Sequence, residues 1–247
     1  MSIESKTDWT GLRRVGHIVR LTLDALERHV RPGVTTAELD RVAAKIFETH
    51  GARSAPALVY GFPGAALISV NDEVVHAIPG SRRLRPGDIV KLDVTAEKNG
   101  YFADAARTVL LGAESELARR LGDCARGAFE AALRVARSGS LVSDVGRAIE
   151  REVDRCGFSV IRGLGGHGIG RTIHEAPSVP NYYDPRQRDR LTEGLVLTIE
   201  PIISSGSGEA FEDSDGWTIR TKDGSLAAHH EHTVVITRDR PVLLTTA

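Results

Sequence analysis

Leu84-Arg-Pro-Gly-Asp-Ile-Val-Lys-Leu-Asp-Val94 and Leu191-Thr-Glu-Gly-Leu-Val-Leu-Thr-Ile-Glu-Pro201 follow one pattern written twice, at an offset of 107 (84 to 191). Each is a turn with glycine in fourth place, Gly87 or Gly194, followed by an apolar strand rich in β-branched residues. Each strand carries a carboxylate in tenth place, Asp93 in one and Glu200 in the other. A strand interior is a poor place for an acid, because desolvating its charge is costly unless it is paired or bound to metal. Two such acids at equivalent points of a repeat predict one shared site to which both copies contribute.

The flanking segments repeat as well. Leu12, Val15, Val19, Leu23, Leu26 and Val30 step by three or four residues, the spacing of an amphipathic helix, and Pro32-Gly33 ends it. Thr35 and Glu38 form a capping-box signature opening a second helix that closes at Gly51. Helices resume over Glu114–Arg137 and Ser143–Cys156, closing at Gly157. At an offset of 106, Arg31, Gly33, Arg41 and Gly51 coincide with Arg137, Gly139, Arg147 and Gly157, nearly in frame with the strand repeat. The expectation is an α+β fold of two pseudo-symmetric halves, about 11–112 and 115–240, in a single domain of residues 11–247. Residues 1–10 look like a loose, flexible polar start.

Among the strands, Val74–Ile78 alternates like a half-buried one. Lys91–Thr95 pairs with Tyr101–Asp104 across Asn99-Gly100, the strongest hairpin cue in the chain. Strands are also expected at Val196–Glu200, from Trp217, and over His232–Thr237. The hairpin sets Asp93 beside Asp104, and Asp104-Ala-Ala-Arg-Thr-Val matches Glu231-His-Thr-Val-Val as a second carboxylate-to-strand pair. Four converging carboxylates repel one another, and two divalent cations balance four negative charges with four positive. A histidine should complete such a site. His167 is the best candidate, because five glycines in Gly163–Gly170 let backbone approach it closely. A phosphate-loop reading of that stretch fails for want of a following Gly-Lys-Ser/Thr. Carboxylates with one imidazole favour Mn, Fe(II), Co or Zn in a catalytic site. Of His229, His230 and His232, strand alternation lets at most one face the site. His17, His29 and His50 fall on helix surfaces.

Bulk properties bound the rest. A formal net charge of −1 with no Lys/Arg run argues against a nucleic-acid or membrane-surface binder. Cys124 and Cys156 are too few for a disulfide framework, and no apolar run approaches the ~18 residues of a membrane span. A soluble, cytoplasmic protein is expected.

Val74-Val-His76, Leu92-Asp93-Val, Ala103-Asp104-Ala-Ala-Arg-Thr, Gly166-His167-Gly-Ile-Gly170, His174-Glu, Thr198-Ile-Glu200-Pro and Glu231-His-Thr together resemble the motif set of type I methionine aminopeptidases. The resemblance spans roughly residues 10–240 and implies the pita-bread fold. It implies metal ligands at Asp93, Asp104, His167, Glu200 and Glu231, with Asp104 and Glu231 bridging. It implies substrate contacts at His76 and His174, and Glu200 as general base to a metal-bridging hydroxide that attacks the first peptide bond. The implied reaction removes methionine from nascent proteins whose second residue is small, with two divalent ions (Co, Mn, Fe(II) or Zn) as cofactors. A transient ribosome association, no membrane partner and a monomeric state go with it. Only 25 residues separate His174 from Glu200, which leaves no room for the helical insertion of the type II enzymes.

This chain departs from the family pattern around the pocket. Ala77 replaces a usual glycine, His230 a common aromatic and Ile173 a frequent phenylalanine, and Val59 stands where tyrosine is often found. Phe62, Leu67 and Trp217 are the expected pocket walls, and the smaller Ile173 and Val59 suggest looser side-chain selection. A prolidase or aminopeptidase P relative would normally carry a further N-terminal domain, for which there is no length. A non-catalytic relative would be expected to have lost ligands, and all five are present.

Overall fold

The computed structural model describes residues 1–112 and 115–246. Helices α1 (Lys6–His29) and α2 (Thr36–His50) form a first pair, followed by the short α3 (Ala55–Tyr60). Helices α4 (Glu116–Val135) and α5 (Val142–Cys156) form the second pair. The expected helix onset at Glu114 lies outside the described residues. In α1 the stepped residues Leu12, Val15, Val19, Leu23 and Leu26 are fully buried. The capping box of α2 is present in both directions: Thr35 Oγ1 accepts from Glu38 N–H, and Thr35 N–H donates to Glu38 Oε2. Gly51 and Gly157 end the second helix of each pair in the left-handed region, φ 56° and 78°, where a side chain would be strained.

Residues 1–10 are not loose. The amino group of Met1 donates to Ile169 O and contacts Glu175, and Val196 N–H donates to Met1 O. Ile3 N–H bonds Gly194 O, and Ser5 caps α1 by accepting from Asp8 N–H. The polar composition hid this, because the segment is held by backbone pairing while Met1 and Ile3 pack on the first core.

One nine-stranded antiparallel sheet crosses both halves. Its centre runs Ile89–Lys98, Tyr101–Leu110, Glu231–Val235, Val196–Ile199. These strands bear or adjoin Asp93, Asp104, Glu231 and Glu200, so the copies lie in mirror order about the seam between the second and third. Direct partners in an antiparallel ladder point to one face, and successive residues alternate. Asp93, Ala106 and Glu231 stand in a single cross-strand row, and Asp104 is two residues from Ala106. Ile199 pairs with His232, so Glu200, the next residue, falls on the face of Glu231 and the four acids share that face. Leu92, Val94, Ala103 and Ala105 point the other way, into the core under α1 and α2. Leu197, Ile199 and Val234 do the same under α4 and α5.

The strand expected through Ile78 stops at Val75, because His76 takes φ 60°, a conformation uncommon for a non-glycine residue. The strand expected from Trp217 begins at Ile219 and leaves Trp217 in the preceding loop. Strand Gly165–Gly168 lies beside Val196–Ile199 so closely that a Cβ on Gly166 would sit 2.3 Å from Thr198 O. That neighbour is backbone and cannot swing aside. Gly166→Ala should therefore cost about 1–3 kcal/mol of stability in urea unfolding of metal-free protein. Gly122→Ala, in α4 with nothing within 4 Å, should be neutral or stabilising by about 0.5–1 kcal/mol. Equal effects at the two sites would contradict close strand contact at Gly166.

Candidate metal centre

Asp93, Asp104, Glu200 and Glu231 are all buried on the free face of the sheet. Strand pairing supplies the first two and Glu231, while Glu200 follows the last residue of Val196–Ile199. Thr198 Oγ1 donates to Glu200 Oε1 (2.8 Å) and accepts from His167 N–H (3.1 Å), tying the glycine strand to the acids. His167 Nδ1 bonds Gly168 O, and its Nε2 lies 3.6 Å from Glu200 Oε1. The five residues predicted as ligands thus meet at one place.

A sixth group joins them. His229, from strand Ala227–His229, reaches within 3.4 Å of Glu231 Oε2 and 3.7 Å of Glu200 Oε2. It is the one histidine of its cluster that faces the site. His230 packs edge-on against Phe129, and His232 is hydrogen-bonded to Thr245 Oγ1. Alternation allowed at most one inward histidine and did not say which.

The electrostatics ask for cations. Burial, first, and mutual repulsion raise Asp93 and Glu231 well above the usual carboxylate range. Glu200 is raised by burial and then by Asp104, and Asp104 by burial. Burial pushes His167 down to about 4 and His229 to about 3. Asp93 Oδ1, Asp104 Oδ1, Glu231 Oε1 and both ring nitrogens of His229 are buried without a hydrogen-bond partner. Orphaned polar atoms are rare in native interiors, and here they converge. Donor atoms of Asp104, His167 and Glu231 lie within 4.8 Å of one another, as do those of Asp93, His229 and Glu231. The donor set suits two divalent ions sharing Glu231.

Above the acids opens a cavity of about 370 Å³. Phe62, Leu67, His76, His174 and Trp217, all expected here, line it. Phe62 and Trp217 meet edge to face at 5.2 Å. His174 meets His167 edge to face with ring centroids 4.2 Å apart, and its Nδ1 is hydrogen-bonded to Tyr60 Oη at 2.5 Å. Burial lowers His174, and burial and then His174 lower His76. Ala77 is buried but is not among the cavity residues, whereas Ile173 is.

Val59 is not in the wall. Its neighbour Tyr60, although equally exposed, is the one that lines the cavity. The reason is α3, which brings Tyr60 against His174. Ser54 at its N-cap, Pro56 in its first turn and Gly61 at its C-cap were start and stop signals, but six residues are too few to show periodicity.

Because the acids hold protons at a pH where free carboxylates have lost them, a metal must displace those protons to bind. His167 and His229 are already neutral near pH 7 and release none. Metal uptake by chelator-treated protein should therefore release protons, read as buffer-dependent heat in calorimetry. The rise in Tm on adding metal should grow from pH 5.5 to 8. Uptake with no proton release, and a Tm rise independent of pH, would contradict protonated acids.

Comparison with known proteins fits this geometry. The chain is 42% identical over 247 residues to methionine aminopeptidase 2 of Bacillus subtilis (strain 168), covering 99% of each. It matches the crystal structure of methionine aminopeptidase from Thermotoga maritima with TM-score 0.96 at 34% identity, and that from Rickettsia prowazekii with 0.95 at 35%, covering 100% of both chains each time. Metallopeptidase family M24 matches over residues 10–238, and with these relatives it establishes that the chain is a member of that family.

Proposed function

We propose that the chain removes N-terminal methionine from peptides whose second residue is small, using two divalent ions held by Asp93, Asp104, His167, Glu200 and Glu231. The observation that carries this is the placement of acids from both repeats, with unpartnered oxygens, in one cavity with the apolar side chains of Phe62, Leu67 and Trp217. Relatives bearing the methionine aminopeptidase name support the substrate class.

When bound, the ion pair supplies a water of lowered pKa and polarises the carbonyl of the first peptide bond. Glu200 accepts the proton of the attacking water, its Oε1 held by Thr198. His174, fixed through Tyr60, donates to the oxygen on which charge develops. His76, turned toward the cavity by its left-handed backbone, contacts the peptide nitrogen. The thioether fits among Phe62, Leu67 and Trp217, the apolar part of the cavity wall. Tyr60 restores the aromatic wall that Val59 seemed to lack, so selection for methionine is tighter than that residue suggests. The substrates are nascent chains in the cytoplasm, met by a monomer through transient contact with the ribosome. No described helix is long and apolar enough to cross a membrane.

Metal-free protein titrated with Mn, Fe(II), Co and Zn should regain hydrolysis of Met-Ala-Ser and leave Xaa-Pro peptides intact. Asp104→Ala, which removes one of the four clustered acids, should abolish that activity; wild-type turnover by this variant would sink the dinuclear reading. N-terminal Lys or Glu cleaved as well as Met would contradict the apolar pocket.

His174→Ala should lose kcat by ~10²–10⁴-fold while keeping the metal stoichiometry, because its contact is made chiefly in the transition state. His167→Ala should instead lose metal affinity together with rate. Calorimetric titration of both variants separates the roles, and the reverse pattern would overturn them.

A further inference from the structure

We propose that His229 is a sixth protein ligand, binding the second ion of the pair as His167 binds the first. The assignment rests on the dinuclear reading above and adds to it an imidazole on the Asp93 side.

His229 is 1% exposed, and neither ring nitrogen has a hydrogen-bond partner. A buried imidazole is not left so without a reason. Its Nε2 approaches Glu231 Oε2 to 3.4 Å and Glu200 Oε2 to 3.7 Å. With metal–ligand bonds of about 2.0–2.2 Å, two ligands of one ion lie about 3–3.5 Å apart, so the Glu231 approach has the spacing of ligands around one ion. Glu200 stands between two imidazoles, Oε1 toward His167 and Oε2 toward His229. The donors divide into an Asp104, His167, Glu231 set and an Asp93, His229, Glu231 set, one imidazole in each.

The position of His229 is well fixed. Its N–H donates to Thr108 Oγ1 (2.9 Å), and Thr108 Oγ1 donates back to His229 O (2.7 Å). Its backbone also pairs with Ile202 across the ladder. The ring therefore enters the acid cluster from a rigid strand, as a preorganised ligand should. An imidazole among carboxylates shifts preference toward Fe(II), Co and Zn over Mn and Mg, so the second position should discriminate metals more than an all-oxygen site.

The test uses metal-free full-length protein titrated with Co(II) and Mn(II), with X-ray absorption at the cobalt edge to count imidazoles. Wild type should take up two equivalents and show about one imidazole per cobalt. His229→Gln should keep the first equivalent, weaken the second by about tenfold or more for Co(II) and less for Mn(II), and halve the imidazole count. Unchanged second-equivalent affinity and imidazole count in a folded His229→Gln would overturn this assignment and leave the dinuclear reading standing. Uptake of a single equivalent by wild type would overturn both. Thermal unfolding of the metal-free proteins checks the fold. If the variant does not fold, the wild-type count decides, and half an imidazole per cobalt refutes the sixth ligand.

Discussion

Four carboxylates are buried together on one face of a sheet, and the disposition of their charge governs the rest of the structure. Desolvating each acid costs several kcal/mol, and their mutual repulsion adds to it. Among the described residues their cation-capable partners within ion-pair distance are His167 and His229, both pushed toward the neutral form by burial. Compensation comes from protons held by the acids or from cations that displace them, and cations need oxygens held at fixed points. A rigid antiparallel ladder provides such points, whereas a surface loop would let the acids move apart.

The ladder also keeps the two faces separate. Alternation sends Leu92, Val94, Leu197 and Val234 into the helix-covered cores and their acidic neighbours into the site. Small residues provide the clearance. Ala106 stands between Asp93 and Glu231 in the cross-strand row, and Gly166 lets the His167 strand press against Thr198. The same close approach orients Glu200, because Thr198 Oγ1 bonds both the His167 backbone and the Glu200 carboxylate. Packing and chemistry therefore depend on the same contacts.

The repeat made most of the site legible in advance. Asp93 and Glu200 stood out because an acid in a strand is costly, Asp104 followed from the Asn99-Gly100 hairpin, and Glu231 from its likeness to Asp104. Where the reading fell short, the missing information was a direction in space. Val59 and Tyr60 differ by one position, and only the rotation of α3 decides which meets the cavity. His229, His230 and His232 are chemically alike, and the start of strand Glu231–Val235 decides which ring meets the acids. Met1 and Ile3 looked loose because their partners are more than 160 residues away.

The sequence by itself determined the elements and the kinds of side chain offered at the candidate site. Helix period, caps, turn glycines and strand alternation are local properties, and a duplicated local pattern already implies two halves contributing to one centre. Only the tertiary structure decided which side chains share that centre. Its mirror strand order brings Asp104 and Glu231 to the middle, its glycine strand delivers His167, and its Thr108 clasp holds His229. The physical reason is that a ligand set is defined by distances of a few ångströms between residues far apart in sequence, and those distances exist only once both halves have closed into a single sheet.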